Sequence, residues 1–170
     1  MISKKNLILI GMMGAGKSTI GSILAKKLKY EFIDIDQKIE ISQRMKISKI
    51  FKIRGEKYFR EIEEKISKQF LEESQKVIAL GGGGFLNNNI RRKILKSHVS
   101  FWLNWKSKTI LKRVRRNKKR PIIEKLDNDQ IKKLIIDRNV IYAKAKNKIS
   151  CENKTINEIV ESIKKIYEKI

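Results

Sequence analysis

The chain reads as an α/β protein built on a parallel sheet with helices on both faces. Three observations predict this. Short apolar runs recur along the chain at Leu7–Ile10, Phe32–Ile35, Val77–Leu80, Val99–Leu103 and, more weakly, Lys148–Cys151. Segments with helical spacing of apolar residues separate them, and strands alternating with helices make parallel strands joined by crossovers. The first run also ends at a glycine-rich segment that opens a helix, a pattern that cradles nucleotide phosphates.

Leu7–Ile10 is continuously apolar and bounded by Gly11, as a strand buried on both faces requires. Residues 16–28 then place Ile20, Ile23, Leu24 and Leu28 on one helical face. Phe32–Ile35 is the second strand. Residues 37–43 and 48–53 predict short helices, and 56–73 a longer one. Val77–Leu80 is the third strand, stopped by Gly81–Gly84, and Val99–Leu103 the fourth. A helix over 107–117, a loop over 118–127, a helix over 129–145, the weak fifth strand and a closing helix over 155–168 complete the chain. No internal repeat or linker-like stretch interrupts this order, so residues 1–170 read as one domain.

The bulk composition narrows the function classes. With 41% hydrophobic residues the chain can bury a core and is not a disordered composition. No apolar run approaches the roughly 20 residues that span a bilayer. The opening has two lysines and then only four apolar residues before Gly11, too short for the core of a secretory signal. A cytoplasmic protein without a membrane partner is therefore expected. The single cysteine, Cys151, permits no internal disulfide and reads as a half-buried structural thiol. The single histidine, His98, has no partners for a metal site and reads as a strand-edge residue. Trp102 and Trp105 read as core or sheet-end residues with no cofactor role.

The net charge of +23 is extreme and unevenly spread. Residues 1–85 carry 17 basic and 10 acidic side chains, and residues 86–170 carry 24 and 8. Such charge suits an RNA-binding face or an electropositive approach for an anionic substrate. Lysine and isoleucine are also used heavily everywhere, which gives a purely compositional account. No aromatic-interleaved nucleic-acid motif accompanies the charge, so no specific nucleic-acid partner is expected.

Gly11-Met12-Met13-Gly14-Ala15-Gly16-Lys17-Ser18-Thr19 satisfies G-x-x-x-x-G-K-[ST]. Its glycines let the backbone turn so that successive N–H groups face phosphate oxygens. The helix that follows adds its positive dipole end. Lys17 can reach the β- and γ-phosphates, and the Ser18 hydroxyl can ligate Mg2+. ATP is the expected cofactor, with Gly14, Ala15, Gly16, Lys17, Ser18 and Thr19 as its loop contacts.

The acceptor side is less explicit. Asp34 and Asp36 flank Ile35, and in a strand residues two apart share a face. One carboxylate could then orient Mg2+ through water while the other takes a hydroxyl proton. A pair of helix N-cap aspartates explains the same residues. Arg60 and Glu63 stand three apart and can pair, which would hold the guanidinium for a bidentate grip on a carboxylate or simply make a solvated pair. Gly81–Gly84 would expose bare amides at the carboxyl end of the sheet, where such sheets bind ligands. The basic run Arg115–Arg120 is either solvated or a lid over the triphosphate. Arg138 carries no signal of its own.

Taken together and in this order, these pieces resemble the shikimate kinase family. The resemblance runs from about Asn6 to Ile163. It is carried by the phosphate loop, Phe32-Ile33-Asp34-Ile35-Asp36 with Ile39-Glu40, Phe51, Gly55-Glu56, Phe59-Arg60, Glu63-Glu64, Gly81-Gly82-Gly83, Arg120-Pro121, and Arg138 four before Tyr142. The resemblance implies a P-loop kinase fold, three-layered, with a five-stranded parallel sheet in the order 2-3-1-4-5. It implies a substrate-binding region over about 34–63 and a lid over about 113–127. It implies transfer of the γ-phosphoryl group of ATP to the 3-hydroxyl of shikimate, with Mg2+, by a monomer. In that scheme Lys17, Asp36 and Arg120 are catalytic, with Asp36 the base. Ser18 and Asp34 hold the metal, and Arg113 stacks on adenine, with Thr155 a further nucleotide contact. Asp36, Arg60, Gly82 and Arg138 bind the substrate, and Phe51 and Phe59 line its ring. Three positions depart from the family pattern, one of them Ile156 in the terminal adenine-contact region, where composition varies. Val140 replaces a usual proline, which would leave the backbone around Arg138 less preset, and the fourth glycine, Gly84, would add mobility.

Overall fold

The computed structural model describes residues 5–116, 123 and 126–170. Five strands, β1 (Leu7–Ile10), β2 (Glu31–Asp34), β3 (Lys76–Ala79), β4 (Val99–Asn104) and β5 (Asn147–Ser150), form one sheet in the order β2-β3-β1-β4-β5. Every pairing is parallel. The central strand β1 is wholly buried, which is why it is apolar at every position. Among the described residues the helices are α1 (Lys17–Leu28), α2 (Ile35–Gln43), α3 (Ile47–Glu72), α4 (Asn88–Ser97), α5 (Ser107–Arg116), α6 (Asn128–Tyr142) and α7 (Ile156–Tyr167). None is long and apolar enough to cross a membrane.

Four local outcomes differ from the sequence expectations. First, β2 ends at Asp34 and α2 begins at Ile35, so Asp34 and Asp36 are not strand neighbours on one face. Asp34 caps α2 by accepting from Gln37 N, while Asp36 lies in the first helical turn. Second, the two helices expected over 48–53 and 56–73 run together as α3. Only Gly55 is non-helical, at φ 80° and ψ 172°, a conformation essentially confined to glycine. Third, α4 was not anticipated. Its apolar face rests on Ile90 and Ile94, with Leu95 partly buried beside them, in a segment of Asn, Arg and Lys, too thin a stripe to register. Asn87 caps its first amides and also binds Glu64 of α3, fixing where it starts. Fourth, Gly84 opens a single 3-10 turn through Leu86, with its N–H bonded to Gly81 O, so it is structured rather than loose.

The lone cysteine and histidine are both interior. Cys151 is fully buried, and burial pushes its thiol up to about 12, so it is inert as a nucleophile. His98 ends α4, is buried with Nε2 3.1 Å from Leu71 O, and has its pKa lowered chiefly by burial. Thr155 forms a capping box with Glu158 at the start of α7.

Candidate active site

The phosphate loop joins β1 to α1. Gly16 adopts φ 87° at the head of α1, a torsion that favours glycine, and among the described residues no side chain caps that helix end. Its first amides are thus left for an anion, as at other helix N-termini. Lys17 folds its ammonium back over the loop, donating to Gly11 O at 2.8 Å and Met12 O at 3.0 Å. The Ser18 hydroxyl donates to Asp34 Oδ2 at 2.5 Å, so the end of β2 delivers a carboxylate beside the loop. From the far side, Trp105 donates its indole N–H to Ala15 O, and Arg113 reaches Gly14 O. In the sequence Trp105 reads as a core or sheet-end residue with no cofactor role. Its contact with the loop crosses 90 positions of sequence, a tertiary fact with no local pattern behind it. Arg113 stacks its guanidinium on the Trp105 ring.

A cleft opens next to the loop. It is lined by all six residues expected to bind substrate, Asp36, Phe51, Phe59, Arg60, Gly82 and Arg138, together with Met13, Ile47, Glu63 and Gly83. Asp36 comes from the first turn of α2. Phe51 comes from α3 before the Gly55 kink, and Phe59, Arg60 and Glu63 from the same helix after it. The Phe51 and Phe59 rings meet at 4.7 Å between centroids. Ile47 is one turn from Phe51 on the same helical face, so spacing alone could have found it.

Electrostatics hold the cationic wall in place. Arg60 Nη1 donates to Glu63 Oε2 at 2.7 Å, and Glu56 accepts from the same guanidinium at 3.1 Å. Burial alone would pull the Arg60 pKa down, but the two glutamates hold it above its ordinary value. Glu63 is 2% exposed. Burial raises its pKa, Arg60 opposes that, and the nearby Asp36 carboxylate adds to it. Arg138, from α6, is buried with Nη1 on Met12 Sδ at 3.7 Å. The helix runs unbroken through Val140. Val140 thus stands in regular helix, two residues after Arg138. Tyr142, one turn on, donates to Gly82 O. Glu63 Oε1 and Arg138 Nε are buried and, among the described residues, find no hydrogen-bond partner, which suits a wall that meets a polar ligand.

The glycine run fits this wall closely. A Cβ on Gly81 would lie 2.6 Å from Glu63 Oε1 and 2.7 Å from Asp36 Oδ1, so a side chain there would displace both carboxylates. Loop and cleft share a partition: Met13 lines the cleft, and a Cβ on Gly82 would lie 3.4 Å from Met13 N.

The shikimate kinase family model matches residues 13–168. A shikimate kinase from Persephonella marina is 38% identical over 159 residues, covering 94% of this chain and 96% of its own length. The chain belongs to the shikimate kinase family. Another relative, from Thermodesulfovibrio yellowstonii, is 38% identical over 168 residues, covering 98% of this chain and 96% of its own. The structure of a shikimate kinase from Acinetobacter baumannii in complex with shikimate superposes with a TM-score of 0.91 at 28% identity, covering 97% of this chain and 93% of that one. As a member of the shikimate kinase family the chain is an ATP-dependent phosphotransferase. Its acceptor is an alcohol group of shikimate, and its place is in chorismate and aromatic amino-acid biosynthesis. Two further expected residues lie apart from these contacts or outside what is described. Thr155 serves as a helix cap, and Arg120, with the middle of the expected lid, lies outside the described residues.

Proposed function

We propose that shikimate occupies the cleft between α2, α3, α6 and the Gly81–Gly84 turn, and that Asp36 is the base that takes the proton of its 3-hydroxyl. The observation that carries this reading is the convergence of Asp36, Arg60, Gly82 and Arg138 on one cleft whose wall includes Met13 of the phosphate loop. Arg60 and Arg138 grip the carboxylate of the substrate, with the Gly82 backbone beside them. Phe51, Phe59 and Ile47 exclude water from the ring. Glu63 holds Arg60 in register and makes no contact with the reacting atoms.

On the nucleotide side, Lys17 and the amides of Gly14 to Thr19 bind the phosphates of ATP, and Arg113 takes the base. Ser18 and Asp34 supply hard oxygen donors of the kind Mg2+ takes, and a site with one carboxylate fits an ion that keeps several waters and binds substrate phosphates. When bound, that ion neutralises charge on the phosphates. The working unit is one chain, since one copy supplies every described residue named. Catalysis follows from positioning the hydroxyl and from charge held ready around the transferring group.

The test is a coupled assay of ADP release. Release that requires shikimate and yields shikimate 3-phosphate supports the reading. ADP release indifferent to shikimate, or stimulated equally by gluconate or a nucleoside monophosphate, would overturn it.

A further inference from the structure

Two donors from outside the phosphate loop reach its carbonyls, and they are tied to each other. The Trp105 indole N–H donates to Ala15 O at 3.0 Å, and Arg113 Nη1 donates to Gly14 O at 3.3 Å. The Arg113 guanidinium carbon sits 3.8 Å from the centroid of the Trp105 ring, close enough for a strong cation–π contact. Packing reinforces the pair, because a Cβ on Gly14 would lie 3.3 Å from Arg113 Cβ.

The consequence follows from the peptide group itself. A peptide unit is planar and trans, so a bond that fixes the carbonyl of Ala15 also fixes the N–H of Gly16, which points the opposite way. That amide stands at the head of α1, where among the described residues no side chain caps the helix. The loop cannot supply this rigidity from its own torsions, since Gly14 and Gly16 flank Ala15 at φ 79° and φ 87°. The internal turn bond, Ala15 N to Met12 O at 3.1 Å, leaves the Ala15 carbonyl to be held from outside. Trp105 is half-buried and takes no part in lining the acceptor cleft.

We propose that Trp105 is a positioning residue for the nucleotide: its indole N–H sets the Gly16 amide, and its ring face holds Arg113 against the loop. The inference rests on reading Gly11–Thr19 as the nucleotide site. It makes nucleotide affinity, and not shikimate affinity, the quantity that depends on Trp105.

Trp105→Phe keeps an aromatic face for Arg113 and removes the N–H. The KM for ATP and the Kd for ADP should rise about three- to tenfold, the effect of one lost hydrogen bond, with the shikimate KM within about twofold. Unchanged nucleotide constants, or a parallel rise for shikimate, would overturn the proposal. If the variant does not fold, 15N-labelled wild-type protein decides. Its two tryptophans give two indole N–H signals. One should move on saturation with ADP and stay in place with shikimate alone; two signals unmoved by ADP, or moved alike by both ligands, sink the idea. Lys17→Ala separates this inference from the reading beneath it. If that variant binds ADP as tightly as wild type, the nucleotide-loop assignment itself fails, whereas a normal Trp105→Phe removes only the role of Trp105.

Discussion

Glu63 shows how much of the cleft is decided by single side chains. A carboxylate at 2% exposure is costly unless paired, and Arg60 is the pair, at 2.7 Å. Removing Arg60 does two things: it deletes one leg of the carboxylate grip and strands a buried charge. Arg60→Ala should raise the shikimate KM about tenfold to a hundredfold, the range for losing a charged hydrogen bond, while the KM for ATP changes far less. Steady-state kinetics with each substrate varied in turn checks this, and equal effects on both would argue against the grip. Asp36 makes a different prediction. Asp36→Asn preserves shape but cannot accept the proton, so turnover should fall about 10²- to 10⁴-fold while ADP still binds, as calorimetry would show. Turnover near wild type would remove Asp36 as the base. These residues were legible in the sequence as a set, because each has a spacing or a motif around it. Of the two readings of Asp34 and Asp36, the shared strand face fails because a helix starts between them, and Asp34 is its N-cap as the other reading has it. The chain sends Asp34 to Ser18 and Asp36 to the cleft by passing from strand into helix, not by alternating along a strand.

At the scale of elements, α3 is the frame of the acceptor site. Ile47 and Phe51 precede Gly55, and Phe59, Arg60 and Glu63 follow it. One non-helical residue therefore sets the angle between two walls of the cleft. Gly55→Ala should cost about 1–3 kcal/mol in stability, because its φ and ψ lie where an L side chain is strained. It should also raise the shikimate KM by misaligning the two halves, with the KM for ATP little changed. Thermal unfolding and kinetics together test this; an Ala variant as stable as wild type with normal KM would show that the kink is incidental. Among the described residues no side chain blocks the substitution, since a Cβ at Gly55 meets none of them within 4 Å, so the effect expected comes from the backbone. The strands and most helices were readable from apolar runs, because a parallel sheet buried on both faces leaves a continuous signal. Helix α4 was not, because its position is fixed by Asn87 and Glu64 reaching across from another helix. Trp105 escaped for the same reason: its partner is a carbonyl distant in sequence.

The molecule as a whole carries +23 charges and acts on two anionic substrates. A field of that sign concentrates anions near the surface, and salt screens it over about 8–10 Å at ordinary ionic strength. The kcat/KM for ATP should therefore fall as salt is raised, measured with Mg2+ held constant. A kcat/KM insensitive to salt would make the charge purely compositional. Heparin binding would not discriminate, since any chain so basic binds polyanions at low salt.

The thin wall of Met12 and Met13 has one more implication. Its sulfur and backbone atoms face Arg138 and Gly82 on one side and belong to the nucleotide loop on the other. The two chambers do not have independent boundaries, so a ligand that shifts the wall in filling one changes the shape offered to the next. Thermodynamic linkage makes that influence symmetric: the factor by which nucleotide alters the affinity for shikimate must equal the factor by which shikimate alters the affinity for nucleotide.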